Sequence, residues 1–306
     1  MKLNSSNQTK LYYHKKSFEE LMNLNNKDKL PNKILLSGQK GIGKCTLAYH
    51  LINFILSKNE SFSYNFKNFE INEENKSFKL VLNKTNPNFT LIDIDPEKKR
   101  IDIQQIRNLI LNFNKSSFNS KPRIVLIDNI EYLNLNSINA LLKILEEPNE
   151  NTYFILIHNN KKILSTLSSR CLNFKLSLTH EEIIKVSNLL LETNTLDLIN
   201  DDLLDYYFTP GKMYDLINFS KDNKIDLKNL NLKDFLKLLI DNSYYKKDVS
   251  MKSMIYDFIE LYLVNKVSVM YADLFDYFIN RIKNTKKFNL DEESLFIEIK
   301  SKLLNG

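Results

Sequence analysis

The chain has 306 residues at 36.1 kDa, 43% hydrophobic and 26% charged, which is enough apolar material for two or three domain cores and too much for a disordered chain. No apolar run approaches the length of a membrane span, the opening residues lack the apolar stretch of a signal peptide, and two cysteines, Cys45 and Cys171, cannot build a disulfide framework or a four-cysteine zinc site, so a cytoplasmic protein without membrane contact is expected. The net charge of +6 rests on 43 basic residues, five of them arginine, beside 41 asparagines; this skew reads as compositional bias and a solvated lysine surface rather than a nucleic-acid footprint.

In chain order, a polar stretch leads into a predicted helix over residues 17–26, with Phe18, Leu21, Met22 and Leu24 as its apolar positions and Pro31 beyond its end. Residues 33–37 (KILLS) predict a short buried strand, 38–46 a glycine loop, and 47–56 (LAYHLINFIL) a buried helix. Residues 58–84 are charged, Asn-rich and aromatic without a clear period, so an irregular or inserted segment is expected there. A strand over 89–94 (FTLIDI), a helix over 102–113 capped by Asp102, and a strand over 123–128 (RIVLID) follow. The unbroken apolar run of the last places it centrally in a parallel sheet. A helix over 137–147 ends at Pro148, a fourth strand spans 153–158 (YFILIH), and a short fifth spans 171–176. This alternation predicts a doubly wound α/β domain. Beyond residue 178 the period is helical alone, broken at 209–211 and around 242–243.

Five glycines serve the whole chain, and three of them, Gly38, Gly41 and Gly43, fall within six residues. The run Gly38-Gln39-Lys40-Gly41-Ile42-Gly43-Lys44 lies between a strand and a helix, the setting of a phosphate-binding loop. Its backbone N–H groups would turn around phosphate oxygens, and Lys44 would reach the β- and γ-phosphates. The position after the lysine needs a hydroxyl to help hold Mg²⁺. Cys45 stands there, a poor ligand for a hard cation, and Thr46 points about 100° further round the helix. Asp128 ends the RIVLID strand where the acidic motif of such an ATPase belongs, but Asn129 follows it, and an amide cannot take a proton from water. Glu131 is expected to face solvent. Two departures at independent positions predict poor hydrolysis, and leave open whether the loop still holds ATP or ADP, with Mg²⁺ only if nucleotide is bound. The histidines outside the strand ends, His14, His50 and His180, have no metal-ligand spacing and read as structural or solvent-facing.

Asn139-Ala140-Leu141-Leu142-Lys143, followed by Leu145-Glu146-Glu147-Pro148, and then Ser169-Arg170-Cys171, form a specific combination. With the glycine loop, Leu30-Pro31 and Thr166, these residues resemble the clamp-loader family of bacterial DNA polymerase III, in its delta-prime type. The resemblance covers residues 11–176 well and 209–212 more weakly, and past 225 it rests on length and helicity.

The resemblance implies an AAA+ P-loop α/β domain over 1–176, a helical lid over 177–224, and an all-helical collar for oligomerisation over 225–306. Arg170 would act in trans as an arginine finger on ATP held by a neighbouring subunit, a role that suits its forked, permanent charge. Asn159 follows the fourth strand where the family has a γ-phosphate sensor, although a polar loop is equally compatible; Lys212 lies near where a lid presents a basic residue to nucleotide. The cysteines of the zinc module common in the family are missing, so no zinc is expected, and 58–84 is its remnant or an unrelated insertion. The implied partners are the gamma/tau-type ATPase subunits and delta, the sliding clamp, and primed DNA within the DNA-polymerising complex. A catalytically active AAA+ ATPase, supported by Lys44 and Asp128, is the alternative; a small-molecule phosphotransferase would leave the helical half and Ser169-Arg170-Cys171 unexplained.

Overall fold

The computed structural model describes residues 4–95, 98, 100–113, 119–146, 151–159, 165–204, 206, 208–247, 249–267 and 271–305. These divide into two units, one within residues 4–179 and one within 180–306.

The first unit is built on five parallel strands, β1 (Lys33–Ser37), β2 (Phe89–Ile92), β3 (Arg123–Ile127), β4 (Thr152–His158) and β5 (Leu172–Lys175), in the order β2-β3-β4-β1-β5. Chain continuity alone would pair β1 with β2. Instead β1 lies between β4 and β5, with Ile34 opposite Ile155 on one side and Leu172 on the other. The apolar run of β3 is central as expected, buried on both faces between β2 and β4. One face carries Leu35, Val125, Ile127, Phe154 and Leu156 against α4 (Ile103–Phe113) and α5 (Leu135–Glu146), through Ile106, Leu109, Ile138, Leu141 and Leu145. By the two-residue period of a strand, Ile34, Leu36, Ile124, Leu126 and Ile155 face the other way and are also buried. The remaining helices of the unit are α1 (Lys15–Asn26), α2 (Lys44–Leu56), α3 (Lys76–Leu82) and the single turn α6 (Ser165–Ser168). The helix α2 starts at Lys44, three residues before its apolar run, and is buried almost throughout.

Residues 58–84 depart from the irregular segment expected. Tyr64, Ile71, Phe78 and Val81 are buried, and α3 is capped by Asn75, whose Oδ1 accepts from the Phe78 amide at 2.8 Å. The Phe18 ring of α1 meets Tyr64 at 5.1 Å and Phe54 and Phe69 within 6.4 Å, so aromatic packing anchors the segment. His50 of α2 completes the cluster. Its Nε2–H donates to the Gln8 carbonyl, so its Nδ1 accepts from the Tyr64 hydroxyl at 2.8 Å.

The second unit is all-helical: α7 (His180–Leu191), α8 (Asp201–Leu204), α9 (Pro210–Asn223), α10 (Leu232–Asp241), α11 (Tyr244–Lys247), α12 (Val249–Tyr262), α13 (Ala272–Phe288) and α14 (Glu292–Ile299). The break at 209–211 is the start of α9, where Thr209 caps and Pro210 takes the first position, whose amide needs no partner. One buried cluster runs from Ile199 to Leu304, with Phe235, Phe258, Phe278 and Phe296 fully enclosed. A parallel α/β domain followed by an all-helical part is the order of fold classes expected from the sequence.

Candidate functional site

The glycine loop leaves β1 at Ser37 and enters α2 at Lys44. Two glycines are required there for different reasons. A Cβ on Gly38 would stand 2.3 Å from the Leu176 carbonyl oxygen, so only a hydrogen fits where the chain leaves β5. Gly43 lies at φ +92°, in the left-handed region, and offers no side chain to cap α2. The first amides of α2 are therefore left for an anion rather than for the helix's own cap. Gly41 lies at φ +88° between them.

Lys44 is 3% exposed, and its ammonium donates to the carbonyls of Gly38 at 3.0 Å and Gln39 at 2.5 Å. Burial lowers its pKa to about 8, against the opposing pull of Asp128 and Glu131. A buried cation held by neutral carbonyls has unmet affinity for an anion. Cys45 turns towards Asp128 and its thiol donates to that carboxylate; burial first, and then the Asp128 charge, push the thiol pKa well up. Asp128 is itself raised to about 6, first by burial and then by the charge of Asp93. Thr46, half-buried, follows in α2.

The ends of β2, β3 and β4 carry a network that sequence spacing does not reveal. Asn129, at φ +57°, donates from Nδ2 to Asp93 at 2.8 Å, and its Oδ1 accepts from Asn159 Nδ2 at 2.8 Å. Asn159 also donates to Glu131, from Nδ2 at 3.0 Å and from its backbone amide at 3.3 Å. Glu131 is thus half-buried and engaged with Asn159, not turned out to solvent, because the turn Ile130–Tyr132 tucks back against the end of β4. The amide side chain of Asn129, both donor and acceptor, ties Asp93 to Asn159 where a carboxylate would only accept. His14 was equally hidden. Its Nε2–H donates to the Ile42 carbonyl at 2.7 Å, fixing the back of the glycine loop from a residue 28 positions earlier.

The other predicted site residues have partners of their own. Arg170, between α6 and β5, donates to the Thr166 carbonyl and to the Glu146 carboxylate, each at 2.7 Å. Lys212, in the helical unit, is engaged by Asp257 at 2.7 Å and by the Tyr206 hydroxyl at 2.5 Å. Glu147 and Pro148 lie outside the described residues. Among the described residues no three His, Cys, Asp or Glu side chains group so as to hold a metal ion, and no helix is long and apolar enough to cross a membrane.

The gamma subunit of DNA polymerase III from Buchnera aphidicola subsp. Acyrthosiphon pisum is 29% identical over 86% of this chain and 74% of its own length. The polymerase III delta' subunit of Pseudomonas aeruginosa is 32% identical over 45% of this chain and 40% of its own, so the match spans less than half of that relative. A solved Thermotoga maritima protein related to the polymerase III gamma subunit aligns over 85% of this chain and 76% of its own, at 19% identity and a TM-score of 0.41. The family model described as DNA polymerase III, delta subunit matches residues 13–180, which contain the glycine loop, Asp128, Asn159 and Arg170. The chain belongs to the DNA polymerase III delta-subunit family.

Proposed function

We propose that the chain is a clamp-loader subunit of delta-prime type, which helps place the sliding clamp on primed DNA by supplying Arg170 to a neighbouring ATPase subunit while hydrolysing ATP poorly or not at all itself. The observation that carries the second half is the arrangement around Asp128. The neighbouring Asn129 is locked by Asp93 and Asn159, and Glu131 is occupied by Asn159, so neither is disposed as a base for attacking water. The residues fit a phosphate-bearing nucleotide, since Lys44 is a buried cation beside uncapped helix amides. They do not fit magnesium held by the protein, because Cys45 offers sulfur and donates its proton to the carboxylate that would orient the metal's water.

Partners follow from this reading: gamma/tau-type ATPase subunits and delta, the sliding clamp, and DNA within the assembly. Residues 177–224 would serve as lid, with Lys212 near nucleotide, and 225–306 as collar.

The test is steady-state Mg·ATP hydrolysis by the purified chain, with Lys44→Ala as background. Turnover no greater than that background is the expected result; turnover that Lys44→Ala abolishes would establish a catalytic ATPase instead. In a complex with its ATPase partners, Arg170→Ala is expected to lower hydrolysis at the neighbouring site by about 10³-fold.

A further inference from the structure

Two motifs that identify the family, the helix ending in Leu145-Glu146 and the Ser169-Arg170-Cys171 turn, are 24 residues apart in sequence and meet in space. The Arg170 guanidinium is gripped on two of its nitrogens, Nη1 donating to the Thr166 carbonyl and Nη2 to Glu146 Oε1, both at 2.7 Å. Both anchors are themselves fixed. The last turn of α5 is pinned by Lys33, whose ammonium donates to the Leu145 carbonyl at 2.9 Å, and Leu141 and Leu145 are fully buried beneath it. The turn carrying Arg170 is tied through the Ser169 amide to the Ser165 carbonyl at 2.9 Å, with Leu167 buried under it.

An arginine side chain has four rotatable bonds, and an unrestrained one loses much of that freedom on meeting a phosphate. Here the two contacts use two of the five N–H donors and hold the guanidinium plane while the side chain stays 34% exposed. Glu146, 54% exposed, lies at the rim with it. A pair of such exposure contributes little to folding. Its geometric effect is larger: it orients a forked donor whose remaining N–H groups are available to an anion.

We propose that Glu146 is a positioning residue for Arg170, holding the guanidinium in the orientation in which it meets the terminal phosphate of nucleotide bound to the neighbouring subunit. This rests on the arginine-finger reading above. Because only the orientation is at stake, loss of Glu146 acts on the partner's turnover and leaves its ATP affinity and the assembly intact.

The experiment uses the full chain assembled with its ATPase partner subunits, comparing wild type, Glu146→Gln, Glu146→Asp, Arg170→Ala and the double variant Glu146→Gln/Arg170→Ala. Glu146→Gln is expected to lower kcat for ATP hydrolysis about 10-fold with KM and complex mass unchanged. Glu146→Asp should recover part of that loss, and the double variant should be no slower than Arg170→Ala alone. If Arg170→Ala slows hydrolysis but Glu146→Gln does not, or the two losses multiply, the positioning role is overturned and the finger stands. If Glu146→Gln speeds hydrolysis, Glu146 restrains Arg170 rather than aiming it, and the proposal is again overturned. If Arg170→Ala is without effect, the finger reading falls and this inference falls with it.

Discussion

At the scale of single residues, the chemistry is set by burial and by which groups share the strand ends. His50, enclosed between the Gln8 carbonyl and Tyr64, has its pKa lowered to about 4 by burial. Between about pH 4 and 6.5 it is neutral in the fold and protonated in the unfolded chain, so its contribution to stability is lost as pH falls through that window. Asp128 works in the opposite sense. Raised to about 6, it is protonated in the fold and ionised when unfolded between pH 3.8 and 6, so its contribution is lost as pH rises. Each term is on the order of 3 kcal/mol, and over the shared window they largely cancel. Asp128→Asn removes one of them. The variant is expected to lose stability on acidification from pH 6 to 4 more steeply than wild type, by about 1.4 kcal/mol per pH unit in denaturant midpoints. Parallel profiles would show that Asp128 titrates normally.

At the scale of elements, α3 depends on one side chain. Asn75 is fully buried; it caps α3 through Phe78, accepts from Asn53 Nδ2 at 3.1 Å, and donates to Glu60 at 3.1 Å. Asn75→Ala loses the cap and strands the buried Asn53 amide, while Glu60 keeps Ser77 and Lys121, an expected cost of about 2–4 kcal/mol in thermal or chemical unfolding. A cost below 1 kcal/mol would mean that 58–84 is an appendage rather than part of the core. The element was illegible beforehand because one asparagine among 41 carries no signal and seven residues are too few to display a helical period. The longer helices were legible for the converse reason. In α5, Ile138, Leu141 and Leu145 recur at helical spacing and all are buried.

At the scale of the whole molecule, the helical unit shares a single core between its two halves. Ile199, Leu203, Met213, Leu216 and Ile217 belong to the same buried cluster as Phe235, Phe258, Phe278 and Phe296. A chain ending at residue 224 therefore leaves the first group without its cover. It is expected to retain a cooperative transition from the α/β unit, bind a hydrophobic dye, and lose the helicity of residues 180–224, which are too few to bury a core alone. A chain ending at 179 should melt cooperatively without binding dye. Retained cooperative helix in the 224-residue chain would show that the lid segment folds independently of the collar.

The sequence by itself determined the parallel α/β frame, the helical second half, the phosphate-loop residues and the two family motifs. Each of these is a local pattern, read from spacing within ten to fifteen residues. What joins them was decided by the tertiary structure. Inserting β1 between β4 and β5 and aligning the ends of β2, β3 and β4 brings together Asp93, Asn129 and Asn159, which lie 36 and 30 residues apart. His14 and Ile42, and Glu146 and Arg170, likewise meet across long stretches of chain. Hydrogen bonds of this kind leave no period in the sequence, because they depend on strand order and on how helix ends are pinned, and those follow from burying the whole set of apolar faces at once.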